Sequence, residues 1–187
     1  MIQEVNEAVL REYFTRLDPL VKPGTMLYVF GGGAVALLGA KIRTTVDLDV
    51  AAPYSNFSDA EFAKASAEAG LPVNPHLGYQ GAYVEFVENR MLALPLPASP
   101  DNVEVLFSGE NLTVKTGSPA DLVASKLCRY DEQDLADVQF LVRECGAKIE
   151  EVRAAVERMP QRMRDDVLVQ ENLKNLETDI AIWEMEK

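Results

Sequence analysis

The segment from Tyr28 to Val50, YVFGGGAVALLGAKIRTTVDLDV, limits what this chain can fold into more than any other stretch. An apolar run, Met26 to Phe30, stops at Gly31, Gly32 and Gly33, and the apolar stretch Ala34 to Ala40 then has the length of a helix of about two turns. Lys41, Arg43, Thr44 and Thr45 follow, and after them Asp47-Leu48-Asp49-Val50. In a strand, side chains alternate between faces, so Asp47 and Asp49 share one face while Val46, Leu48 and Val50 share the other. Neighbouring carboxylates repel unless something positive lies between them, and a divalent cation held by oxygen ligands is the usual answer. The glycines suit the other half of a nucleotide site. Without a Cβ in the way, backbone N–H groups approach phosphate oxygens closely, and the helix start adds its positive dipole end.

The stretch resembles the nucleotidyltransferase superfamily, whose fold is that of the catalytic region of DNA polymerase beta. The family pattern is Gly-Gly or Gly-Ser at a strand end, a short helix, a basic and hydroxyl cluster, then Asp-x-Asp before an apolar residue. Gly31-Gly32-Gly33, Arg43-Thr44-Thr45 and Asp47-Leu48-Asp49-Val50 fill that pattern here. The chain is most similar to the AbiEii-type branch, the toxins of type IV toxin–antitoxin systems and their relatives, in which Arg-x-Thr-x-Asp-x-Asp is typical. The resemblance implies an α+β fold, a mixed sheet flanked by helices with a C-terminal helical segment. It divides the chain into a nucleotidyltransferase core over 1–117 and a helical region packed on it over 118–187.

Composition narrows the alternatives. At 187 residues, 48% apolar and 26% charged, the chain suits a globular domain, alone or with a helical appendage. No apolar run approaches the roughly 20 residues that span a bilayer, and MIQEVNEAVLREYF is too acidic for a signal peptide, so a cytoplasmic protein without membrane contact is expected. Cys128 and Cys145 fall in helical, apolar surroundings without metal-ligand spacing and read as buried, reduced thiols. The single His76 argues against Ser-His-Asp or zinc catalysis. A net charge of −12 cuts against a general nucleic-acid binder and fits a small cationic acceptor or a protein partner better.

Along the chain, helical spacing is expected over Gln3–Leu17, closed by Asp18-Pro19, and Ser58-x-x-Glu61 is a capping-box signal for a helix from about Asp59 to Ala69 that stops at Gly70. Ala82–Val87 and Met91–Leu96 read as a hairpin, and Val103–Phe107 and Leu112–Lys115 as a further pair around Ser108-Gly109. Ser118-Pro119-Ala120-Asp121 starts a helix, a second begins near Asp131, and Lys148–Lys187 is helical with a break near Met159-Pro160.

Within this frame the family likeness implies a third carboxylate on a later strand. Glu104, an acid between Val103 and Val105, is the first choice, and Glu85 in Tyr83-Val84-Glu85-Phe86 has a similar local form. Pro119-x-Asp121-Leu122-x-x-x-Lys126-Leu127, then Arg129, resembles a second AbiEii-type motif, which implies Lys126 as a point charge for triphosphate oxygens, against a pairing with Asp134 or Asp137. The expected chemistry is nucleoside monophosphate transfer from an NTP to an acceptor hydroxyl of RNA, protein or a small molecule. Asp47, Asp49 and Glu104 would hold two Mg2+ (or Mn2+) ions about 4 Å apart. Gly31 and Gly32 would contact phosphate, with Arg43, Thr44 or Thr45 assisting, or Arg43 only buttressing the carboxylates.

A nucleotide- or partner-binding relative without turnover, such as half of a toxin–antitoxin pair with a cognate antitoxin, is the alternative. The glycine run also satisfies G-x-G-x-x-A, with an acid 16 or 18 residues past Gly31, but the chain lacks the repeated strand–helix–strand units of a dinucleotide fold. No Gly-Lys-Ser/Thr follows the glycines, which excludes a P-loop.

Overall fold

The computed structural model describes residues 3–41, 43–88, 93–95 and 103–185. They fall into two compact units, Met1–Leu92 with Glu104–Thr116, and Ala93–Val103 with Gly117–Lys187.

The first unit carries a five-stranded mixed sheet in the order β3-β2-β1-β5-β4, formed by β1 (Thr25–Phe30), β2 (Asp47–Ala51), β3 (Tyr83–Val87), β4 (Val103–Ser108) and β5 (Leu112–Gly117). Central β1 runs antiparallel to β2 and parallel to β5, and β2 runs parallel to β3. A parallel neighbour cannot be reached by a tight turn. The chain therefore leaves β2, passes through α3 (Asp59–Ala69), turns at Gly70 with φ of +116°, and returns as β3.

The expected hairpin of β3 with the run 91–96 falls partly outside the described residues. The strand that pairs with β3 is β2, and half of the second run, 91–92 and 96, lies outside the described residues. The outer edge of β3 is covered by the segment before it: Val84 N–H donates to Pro72 O at 2.9 Å, Asn74 N–H to Val84 O at 2.9 Å, and Phe86 N–H to Asn74 Oδ1 at 2.8 Å.

Helix α1 (Glu7–Leu17) starts four residues later than its periodicity predicts, capped by Asn6, whose Oδ1 accepts from Val9 N–H at 3.1 Å. The residues before it are spent elsewhere: Val5 forms an antiparallel bridge with Thr45. Helix α2 (Gly31–Leu37) also begins earlier than expected, so the glycines form its first turn and not a loop ahead of it. α3 has the predicted bounds, but Ser58 at its N-cap makes no side-chain capping bond. Phe14, Leu27, Val29, Val35, Leu48 and Val50 are fully buried in this unit, each burial stabilising by about 1.5–3 kcal/mol.

The second unit is helical: α4 (Pro119–Lys126), α5 (Glu132–Arg143), α6 (Ile149–Glu157), α7 (Gln161–Arg164) and α8 (Val167–Met185), with the expected break at Met159-Pro160. Ser118 and Asp121 close the capping box of α4, and Asp131 caps α5 through Asp134 N–H at 2.9 Å. Asn172 Nδ2 donates to Leu127 O at 2.8 Å, and Tyr130 hydroxyl to Asp179 Oδ2 at 2.7 Å. Cys128 and Cys145 are half-buried, not buried as expected. Burial, then the charges of Asp166 and Asp134, push the Cys128 thiol up to about 11, so it stays a thiol at neutral pH. Among the described residues no helix is long and apolar enough to cross a membrane.

Candidate active site

Fully buried Leu48 and Val50 fix the face that β2 turns to the core, and a one-residue slip would bury Asp47 and Asp49 instead. The two acids therefore emerge on the opposite, partly exposed face. Across the sheet, Asp47 stands opposite Tyr83, and Asp49 opposite Glu85 on one side and Phe30 on the other. Asp47, Asp49 and Glu85 come together as a group, each offering one carboxylate oxygen within 4.8 Å of the others.

The parallel return of β3 makes this third position. Glu104, the first choice from sequence, is not in the group. It is exposed on β4, separated from β2 by β1 and β5, which at the usual strand spacing is about 14 Å. The signal that would have favoured Glu85 is the helix between β2 and β3: a strand–helix–strand unit brings β3 back beside β2, whereas β4 follows a longer path.

The glycines make room for side chains. Gly31 has φ of +64°, and a Cβ there would strike the Asp49 carboxylate. One on Gly32 would strike the Arg43 guanidinium, and one on Gly33 would lie 2.8 Å from Leu48 Cδ1. The start of α2 thus carries a carboxylate and a guanidinium packed on adjacent glycines. Arg43 Nη1 also donates to Thr44 O, and Thr44 is exposed. Thr45 Oγ1 donates to Asp47 Oδ1 at 2.7 Å.

Electrostatics mark the group as crowded with like charge. Burial first, and then the negative charge of Asp47, push the Glu85 carboxyl above its ordinary value. The Tyr83 phenol is likewise raised, by burial and then by Asp47, Glu85 and Asp49, which places a half-exposed aromatic ring beside the acids that sequence reading did not single out. Clustered carboxylate oxygens of this kind fit a hard divalent cation, which takes oxygen ligands and relieves the repulsion.

Lys126, expected at triphosphate oxygens, is 7% exposed. Its Nζ lies 3.0 Å from Asp134 Oδ1 and 2.6 Å from Asp137 Oδ2, so its charge is met inside the second unit. Arg129 Nε adds a bond of 2.8 Å to Asp134 Oδ2. Burial pushes Asp134 upward, but Arg129 and Lys126 outweigh it and hold the carboxyl below the usual range.

A concavity of about 690 Å³ lies at the other end of β1, beside Thr25, Asn56, Phe57 and Phe62. Several of its polar groups are engaged with the protein: Asn56 Nδ2 donates to Gly24 O at 3.1 Å, Ser55 Oγ to Ala51 O at 3.0 Å, and Lys22 pairs with Glu61 at 2.7 Å. Volume alone does not make it the site of chemistry, and Asp47, Asp49 and Glu85 are not among its lining residues.

Residues 8–165 match the family described as "Nucleotidyltransferase of unknown function (DUF6036)". Among solved structures the chain is similar to that of the antibiotic-resistance factor ANT(2'')-Ia, determined in solution, at 13% identity and a TM-score of 0.48, over 96% of this chain and 95% of that one. No curated protein matches the chain.

Proposed function

Because the chain belongs to this family of nucleotidyltransferases of unknown function, we propose that Asp47, Asp49 and Glu85 hold Mg2+ or Mn2+ for the transfer of a nucleoside monophosphate from an NTP to an acceptor hydroxyl. The convergence of these carboxylates within 4.8 Å, beside the glycines that admit Asp49, carries the reading. In the reaction the acceptor oxygen attacks the α-phosphorus and gives up its proton to solvent, the bond from that phosphorus to the bridging oxygen breaks, and pyrophosphate leaves. The bound cation supplies charge neutralisation of the triphosphate and a lower pKa at the acceptor hydroxyl. Arg43, packed over Gly32, and the N–H groups of Gly31 and Gly32 are the groups we assign to the triphosphate. Lys126, paired with Asp134 and Asp137, we assign to structure. The net charge of −12 supports a small cationic molecule or a protein as acceptor over RNA.

Label transfer from α-labelled triphosphates into a cell extract tests the assignment. Asp47→Asn and Glu85→Gln are expected to lose about 100-fold or more, on the scale of removing a group that stabilises developing charge, while Glu104→Gln stays within about twofold of wild type. Loss in Glu104→Gln with Glu85→Gln intact would return the third carboxylate to β4. One observation favours a second reading, binding without turnover: the lysine expected at the triphosphate is spent on two buried aspartates. Calorimetric NTP binding with Mg2+ by a wild-type protein that transfers no label would establish it. The narrower reading as the toxin-like half of an AbiEii-type pair is supported by Arg43-x-Thr45-x-Asp47-x-Asp49. A copurifying protein that blocks label transfer is its expected signature.

A further inference from the structure

We propose that Thr45 is a positioning residue for Asp47, fixing the orientation of that carboxylate toward the cation, and not a contact of the nucleotide. The inference rests on the proposed cation site. Its basis is a chain of bonds that ends on a ligand. Thr45 Oγ1 donates to Asp47 Oδ1 at 2.7 Å. A threonine hydroxyl has a single proton to donate. With that proton on Asp47, Thr45 has none left for a phosphate oxygen.

The aim of the hydroxyl is set from behind. Val5 N–H donates to Thr45 O at 2.8 Å and Thr45 N–H to Val5 O at 3.0 Å, so both main-chain groups of Thr45 are held by one residue, itself fully buried. A β-branched side chain on a backbone held in this way has few rotamers left. The segment ahead of α1 thereby acts as a strap: buried Val5 holds Thr45, and Thr45 holds Oδ1 of Asp47. Oδ2 is left as the Asp47 oxygen without this bond. A carboxylate whose rotation is already restricted loses less freedom when it takes up a cation. Partners behind metal ligands typically change metal affinity by about 10–100-fold when they are removed.

The test is Mn2+ binding to the full chain without nucleotide, followed by electron paramagnetic resonance of the free ion, in wild type, Thr45→Val, Thr45→Ser and Asp47→Asn. Valine keeps the branched shape and removes the hydroxyl, and serine restores the hydroxyl without the methyl. Thr45→Val is expected to weaken Mn2+ by about 10-fold or more, with Thr45→Ser within about threefold of wild type and melting temperatures alike. Unchanged Mn2+ affinity in Thr45→Val, while Asp47→Asn abolishes binding, overturns the positioning role and leaves the cation site standing. The role is equally overturned if serine fails to rescue, because the methyl and not the hydroxyl is then what matters. A wild type that takes up no Mn2+ at any concentration overturns the cation site and this inference together.

Discussion

Among the described residues, carboxylates gather in the sheet unit and in the helical unit, and the two groups are treated in opposite ways. In the sheet unit, Asp47, Asp49 and Glu85 meet at a partly exposed face, and Glu85 is pushed above its ordinary value by burial and by Asp47. In the helical unit, Asp134 and Asp137 are each 3% exposed, yet Asp134 is held below its ordinary value because Lys126 and Arg129 sit on it. The second cluster is met by Lys126 and Arg129 inside the unit, and the first brings three carboxylates together at a partly exposed face. Burial and acid content alone would have ranked the helical cluster as the more unusual. Ion pairs to Lys126 and Arg129 on one side, and carboxylate oxygens converging at an accessible face on the other, separate a structural ion network from a candidate ligand set.

Removing the cation from the self-neutralised cluster is the largest test of this contrast. Lys126→Met removes the lysine from both buried carboxylates and leaves Asp134 to Arg129, and a broken buried pair costs about 3–5 kcal/mol, to be read from urea unfolding. Replacing Lys126, Asp134 and Asp137 together by Met, Asn and Asn is expected to recover most of that loss, since no charge is then left uncompensated. If Lys126→Met unfolds like wild type, the lysine is not structural and its assignment to the triphosphate returns.

The same network sets an acid limit. Asp134 has its folded value below its unfolded one, so its contribution is present above the ordinary aspartate value of 3.8 and is lost as pH falls through the lowered folded value. Wild type is expected to lose stability more steeply below about pH 4 than Asp134→Asn, which starts less stable and is flatter there. Parallel melting curves of the two would remove Asp134 from the account.

The glycines sharpen the site half of the comparison. Gly24 and Gly31 both have positive φ, +81° and +64°, so alanine at either meets backbone strain of about 1–2 kcal/mol. Around Gly24 a Cβ meets nothing within 4 Å, whereas at Gly31 it strikes Asp49. Gly31→Ala is therefore expected to cost at least about 1 kcal/mol more than Gly24→Ala and, unlike it, to weaken Mn2+ binding by displacing a ligand. Equal melting temperatures and equal Mn2+ affinities in the two variants would mean that the Asp49 carboxylate does not depend on the bare helix start.

Much of this was legible in residue order. The alternation of Asp47, Leu48, Asp49 and Val50 fixes which face is wet, the capping residue Ser118 marks the start of α4, and α5 starts beside Asp131, near which a helix is expected. What escaped were relations between segments distant in sequence. Local pattern makes Glu85 and Glu104 equivalent, an acid between apolar strand residues, and only the parallel register of β3 on β2 puts Glu85 opposite Asp49. The bridge from Val5 to Thr45 has no local signal, because apolar spacing runs on through Val5 into the helix while the backbone does not. Lys126 carried a family likeness and a helical position. Whether a lysine points to solvent or between two aspartates is decided by how α5 packs on α4, which no local signal states.

The smallest expected effect is the one whose sign reverses. Without metal, Glu85→Gln removes one of several like charges and should raise the unfolding free energy by a few tenths to about 1 kcal/mol, because exposed charges a few ångströms apart are well screened. Saturating Mn2+ stabilises only the form that binds it, by about 2.7 kcal/mol at 100 times the dissociation constant. Wild type is therefore expected to melt below Glu85→Gln in chelator and above it in excess Mn2+. A structural acid moved by either substitution or salt would shift both curves together. Melting curves that keep their order across the Mn2+ titration would mean that Glu85 is a surface acid beside the pair and not its third member.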